Sequence, residues 1–176
     1  MTQSYKTVFD GTQEALRTQP EQALATFTAE SRQAEGLRSE VQARQFSLTV
    51  DEPEELGGTD QGPNPVELVL AALASCQEIT YRLYADSLGI PLNSVSVKVS
   101  GDLDLRGFFA VDEAVRPGFQ AIRAEVTLDS PASEAELERL KTTVDRFCPV
   151  LDILGKATPV SLNYTGAAGA EPQAAE

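Results

Sequence analysis

A chain of 176 residues fits one domain with a real apolar core, and its formal charge of −13 makes phosphate backbones and anionic membrane surfaces repulsive partners. Histidine is absent and only two cysteines are present, which removes Ser-His and Cys-His dyads, imidazole-bearing zinc sites and thiolate cages of three or four ligands. Acid–base chemistry is left to carboxylates, thiols, Lys, Tyr or backbone dipoles.

Tyr5 to Gln19 has helix-compatible residues, but its apolar face of Val8, Phe9, Ala15 and Leu16 is thin and Gly11 interrupts it. Residues 1–22 therefore read as a weakly helical amino-terminal arm. The same stretch lacks the continuous apolar core of a signal peptide, and no run reaches the roughly 20 apolar residues of a membrane helix. A soluble, cytoplasmic protein is expected, with neither nucleic acid nor membrane as partner. Ala23 to Ala29 and Val41 to Val50 both alternate apolar and polar residues, which predicts an antiparallel hairpin around Ala34 to Ser39. Asp51 to Pro65, DEPEELGGTDQGPNP, is a loop by its Gly, Pro, Asp and Asn content.

That loop leads into a helix capped by Asn64, with Pro65 at its first position and its end near Gly89. Val66, Val69, Leu70, Leu73, Cys76, Thr80 and Leu83 share one face at helical spacing. Ala71, Ala72, Ala74 and Ser75 allow close approach of another element, so this is a central helix. Ser94 to Leu105 alternates as a strand with a bulge at Gly101, Gly107 to Gly118 is a loop, and Phe119 to Asp129 is a further strand ended by Pro131. Ser133 and Glu136 form a capping box for a second amphipathic helix, which Pro149 breaks or restarts. Thr158 to Tyr164 reads as a last strand, and residues 165–176, rich in Gly and Ala, as a disordered tail. The order is α+β, with helices covering a mainly antiparallel sheet.

Each cysteine is either a small core hydrophobe or a reactive thiol, because free cysteine is among the most buried residue types. Cys76 lies on the apolar face of a helix that follows a Gly/Pro loop. Cys148 precedes Pro149 and would cap a new helical turn there, where unpaired N–H groups favour a thiolate. On this argument Cys148 is the more acidic thiol. Two thiols within reach of each other suffice for a cycle through sulfenic acid and disulfide. Their separation of 72 positions neither forbids nor proves contact.

LGGTDQGPNPVELVLAALASC, from Leu56 to Cys76, closely resembles the first-cysteine motif of the OsmC/Ohr family, and RFCPV, from Arg146 to Val150, resembles its second. VSGDLDLRGF, from Val99 to Phe108, and RPGFQAIRAEV, from Arg116 to Val126, look like the strand segments between them. The resemblance implies an OsmC-like domain over residues 23–164, in an intertwined homodimer whose sheets pack around long central helices and whose two active sites lie at the interface. It implies a thiol-dependent peroxidase acting on organic hydroperoxides or hydrogen peroxide, reset by a thiol or dihydrolipoyl reductant, without cofactor or metal. In the family's characterised peroxidases the first cysteine is peroxidatic and the second resolving, which assigns those roles to Cys76 and Cys148. This order opposes the helix-start argument and is adopted here, since an Arg or a charge network can activate Cys76.

The family also implies an assisting arginine and glutamate. Glu67 matches an acidic position two residues after the proline, but the organic-hydroperoxide branch places its glutamate directly after the proline, where this chain has Val66. Nine helical steps put Glu67 on the opposite side of the helix from Cys76, which leaves a solvated or inter-subunit carboxylate as an equal reading. Arg32, Arg38 and Arg44 all lie in the amino-terminal hairpin. Arg44, just before FSLTVDEP, fits the wider pattern best, and Arg38 sits nearer the hairpin turn. Phe108, Phe109 and Phe119 line either a peroxide pocket or the core. A non-catalytic small-ligand-binding protein, or a redox-responsive one, on the same fold is the alternative function.

Overall fold

The structure, a computed structural model, describes residues 5–164. The expected tail over 165–176 lies outside the described residues. The elements are α1 (Tyr5–Thr18), β1 (Glu30–Gln33), β2 (Ser39–Ala43), β3 (Phe46–Val50), α2 (Pro65–Leu88), β4 (Ser94–Leu103), α3 (Leu105–Phe108), β5 (Phe119–Asp129), α4 (Glu134–Phe147) and α5 (Pro149–Gly155). Single 3-10 turns occupy Pro20–Gln22 and Glu54–Leu56. The α+β class holds, with two antiparallel sheets, β1-β2-β3 and β4-β5. No helix among the described residues is long and apolar enough to cross a membrane.

Helix α2 is the axis of the body. Asn64 accepts the Glu67 N–H and Glu67 accepts the Asn64 N–H, each at 2.9 Å, so a capping box starts the helix at Pro65. Gly89 ends it in the left-handed region, at φ 68°. Its inner face packs on β4 and α4 around a core of Tyr81, Ala85, Ile90, Leu140 and Val144, with Leu92, Val95, Val126 and Leu137 at the edge. The buried stripe is Leu73, Gln77, Thr80, Tyr81 and Ala85. It is rotated from the face expected around Cys76, and Val66 is exposed. The helix is apolar on both sides, so periodicity could not decide which side meets the sheet.

The strands correct four expectations. Val41 to Val50 is two strands, because Arg44 adopts φ 56° and turns β2 back onto β3, with Ala43 paired to Phe46. Leu105 belongs to α3, not to the preceding strand. The irregularity in β4-β5 falls between Asp102 and Leu103, one residue past Gly101, and leaves Gln120 as the extra residue on β5. Gly101 answers a different need: a Cβ there would stand 2.6 Å from the Phe119 ring. Finally, neither 23–29 nor 158–164 forms a strand. Leu24 and Phe27 are 93% and 91% exposed, and Val160, Leu162 and Tyr164 are exposed as well. A strand exists only where a neighbour accepts its backbone hydrogen bonds, and among the described residues these two segments have no strand partner.

The loop before α2 is organised by a buried carboxylate. Asp51 accepts the Glu52 N–H at 2.9 Å, the Thr59 N–H at 3.0 Å, the Thr59 hydroxyl at 2.6 Å and the Gln61 N–H at 3.3 Å. Gly58 lets the chain close: a Cβ there would fall 1.8 Å from the Glu52 carbonyl oxygen. The Thr59 hydroxyl, with these amides, holds the Asp51 carboxyl below its ordinary value against the opposing effect of burial. A depressed folded-state pKa contributes stability that is present above the unfolded pKa of about 3.9 and is lost as pH falls through the folded value. Asp51→Asn is therefore expected to melt lower at pH 7 and to lose less on acidification. Thermal melts of both proteins from pH 7 to pH 2 check this, and parallel acid limbs would refute it.

Candidate active site

Two elements that meet only through tertiary packing bring the cysteines together. Cys76 sits in the middle of α2, and Cys148 occupies the joint between α4 and α5, where its extended backbone ends one helix and starts the next. Ser133 and Glu136 form the reciprocal capping box that begins α4, and Leu140 and Val144 bury its inner face. The Cys148 amide closes α4 by donating to the Val144 carbonyl at 2.9 Å. Pro149 cannot donate to a continuing helix and is well placed at the first position of α5.

The two thiols are unbridged, and the Cys148 S–H donates to the Cys76 sulfur with the two Sγ atoms 3.3 Å apart. Cys148 is 1% exposed, whereas Cys76 is half-buried. Burial pushes the Cys148 thiol up, and the neighbouring Cys76 sulfur adds to the rise. The amides of Leu151 and Val150 act the other way but do not prevail, and the thiol makes no regular cap hydrogen bond. The helix-start expectation of a lowered Cys148 pKa is thereby corrected. A helix start lowers a thiol's pKa only where its amides outweigh desolvation, and here they do not.

Cys76 opens onto an apolar groove of about 520 Å³. Ala72, Ser75, Ile79, Thr80, Leu83 and Tyr84 of α2 form its floor, Phe147, Pro149 and Val150 one side, and Phe9 of α1 the rim. No charged side chain among the described residues lines it. Tyr84 makes an edge contact with Phe9, centroids 5.1 Å apart, and stacks on Phe147 at 5.6 Å. Sequence reasoning missed this row. Phe147 stands beside Cys148, and Tyr84 lies two turns beyond Cys76 on the same face, so only Phe9 had no local signal.

The other candidate residues lie elsewhere in the chain. Glu67 is engaged in the α2 capping box and lines a separate cavity of about 530 Å³ with Val66, Leu70, Phe108 and Phe119. Phe108 and Phe119 thus share the Glu67 cavity and not the Cys76 groove, and Phe109 is exposed. Arg44 is at the β2-β3 turn with its guanidinium 5.1 Å from the Phe46 ring centroid. Arg38 is partly buried at the β1-β2 turn, 3.9 Å from Glu35, and its Nε has no partner among the described residues. Arg32 is on β1 and exposed.

The family model described as OsmC-like protein matches residues 58–163. A curated hydroperoxide reductase from Mycoplasma pneumoniae is 27% identical over 123 residues, which are 68% of this chain and 79% of the relative. Among solved structures, the OsmC-like protein from Mycoplasma pneumoniae superposes with a TM-score of 0.65 at 23% identity, covering 74% of this chain and 88% of the other. An organic hydroperoxide resistance protein from Legionella pneumophila gives 0.57 at 23% identity, with 73% and 88% covered.

Proposed function

The chain belongs to the OsmC-like family, and on that premise we propose that it reduces organic hydroperoxides or hydrogen peroxide, with Cys76 as the peroxidatic thiol and Cys148 as the resolving one. The observation that carries this reading is the pair of reduced sulfurs 3.3 Å apart at an open apolar groove. The curated relative's name, hydroperoxide reductase, and that of the Legionella pneumophila structure point the same way. Burial raises the pKa of the Cys148 thiol, and its S–H donates to Cys76, the sulfur that a peroxide in the groove can reach.

The steps balance. The Cys76 thiolate attacks one peroxide oxygen, an S–O bond forms as the O–O bond breaks, and the departing alkoxide takes a proton to leave as alcohol. Cys76 is then a sulfenic acid. Cys148 attacks its sulfur, the Cys148 proton leaves with the hydroxyl as water, and the Cys76-Cys148 disulfide forms. A dithiol of the dihydrolipoyl type reduces that disulfide by exchange and is itself oxidised to its disulfide. At 3.3 Å the sulfurs need little further approach.

The unpaired segments support an intertwined dimer. Residues 23–29 and 158–164 carry strand patterns and expose Phe27, Val160 and Leu162, while the β1-β2-β3 sheet makes little contact with the body. A second copy would supply the missing strand neighbours and carry a hairpin toward each groove. Arg38, with its unpartnered Nε, is then the favoured charge for Cys76, ahead of Arg44. Glu67 is turned away from Cys76 by its own helix, so it would reach a thiolate only across the interface. A cytoplasmic setting would keep both thiols reduced.

Steady-state consumption of cumene hydroperoxide and hydrogen peroxide, with dihydrolipoamide or dithiothreitol as reductant, tests the reading. Many turnovers per protein are expected, and Arg38→Ala should slow Cys76 oxidation more than Arg44→Ala does. A wild-type rate equal to that without protein would end the peroxidase proposal.

A further inference from the structure

The amino-terminal helix lies outside the residues matched by the family model, yet it reaches the groove at Cys76. No residue of α1 is fully buried. Two of its side chains tie it to the body. Phe9 meets Tyr84 edge-on, and Lys6 donates to the Ser87 carbonyl at 3.0 Å, where the C-terminus of α2 favours a cation. Phe9, Tyr84 and Phe147 come from three different helices and form one continuous row of rings along the groove. Ala72 and Ser75 of the same groove are small, and its volume of about 520 Å³ leaves room for a flat apolar group beside the row.

Resting on the peroxidase reading above, we propose that Phe9 is a specificity-determining residue: with Tyr84 and Phe147 it forms an aromatic wall that holds the apolar body of an aryl hydroperoxide while the peroxide end faces Cys76. Hydrogen peroxide has no such body and gains nothing from the wall. The arm thereby biases the site toward bulky apolar peroxides through contacts made away from the reacting atoms.

The test is the ratio of kcat/KM for cumene hydroperoxide to that for hydrogen peroxide, in wild type, Phe9→Ala and Phe9→Leu. Phe9→Ala is expected to lower the ratio about three- to tenfold, the worth of one aromatic contact. Phe9→Leu should retain part of it. A second readout needs no peroxide: in a Cys148→Ser background, Cys76 is alkylated with N-phenylmaleimide and with iodoacetamide, and the aryl preference is expected to fall by a similar factor in Phe9→Ala. If wild type shows no turnover but this preference exists and falls, the wall stands and only the peroxidase reading is lost. If both peroxides slow equally, or if neither ratio changes, Phe9 is a structural strut and the proposal is overturned.

Discussion

Cys76→Ser is expected to leave no peroxide turnover above the rate without protein, a loss of more than about 10³-fold, because a hydroxyl cannot replace the thiolate as nucleophile. Cys148→Ser should fail differently. Its Cys76 still faces the groove, so one equivalent of peroxide is consumed, a sulfenic acid accumulates that dimedone traps, and excess peroxide drives it on to the sulfinic acid. No disulfide forms in either variant. The asymmetry follows from the setting of the two sulfurs: Cys148 is shut in and its thiol is pushed up by burial, whereas Cys76 opens to the groove. Alkylating reagents at neutral pH should accordingly modify Cys76 first in the wild-type protein, as peptide mapping would show. Preferential labelling of Cys148, or dimedone capture in Cys76→Ser, would reverse the assigned roles.

The reasons some features were legible in the sequence, and others not, are physical. Asn64 with Pro65, and Ser133 with Glu136, announce helix starts by local backbone chemistry, and Pro149 restarts a helix for the same local reason. Strand β5 occupies Phe119–Asp129 as its alternation predicts. The segments 23–29 and 158–164 have equally clear alternation, but a strand is a property of two segments, and the described residues offer them no strand neighbour. The turn at Arg44 was hidden because a positive φ at a non-glycine residue interrupts no hydrophobic pattern. At the site, motif resemblance singled out Cys76 and Cys148, while their 3.3 Å approach depends on how α4 docks on α2. In the ring row, Tyr84 and Phe147 lie near the cysteines in the sequence, whereas Phe9 was beyond sequence reasoning because it belongs to a separate helix that meets them only through packing.

That docking is where stability and chemistry meet. Leu140 is 0% exposed and packs with Tyr81, Ala85, Ile90 and Val144 between α2 and α4. Leu140→Ala removes buried methyl groups and leaves a cavity that a helix capped at both ends cannot easily collapse, so the expected cost is about 3 kcal/mol. For a chain of this length that corresponds to a fall in melting temperature of roughly 10 °C. The same helix ends at Cys148, whose amide is tied to the Val144 carbonyl one turn beyond Leu140. A looser α4 therefore places the resolving sulfur less accurately against Cys76, while Cys76 itself remains fixed in α2. Stopped-flow oxidation at a temperature where the variant is folded should show an unchanged first step and slower disulfide formation. Equal slowing of both steps would mean that the core supports the whole site, and an unchanged second step would mean that α5 and Pro149 hold Cys148 in place without α4.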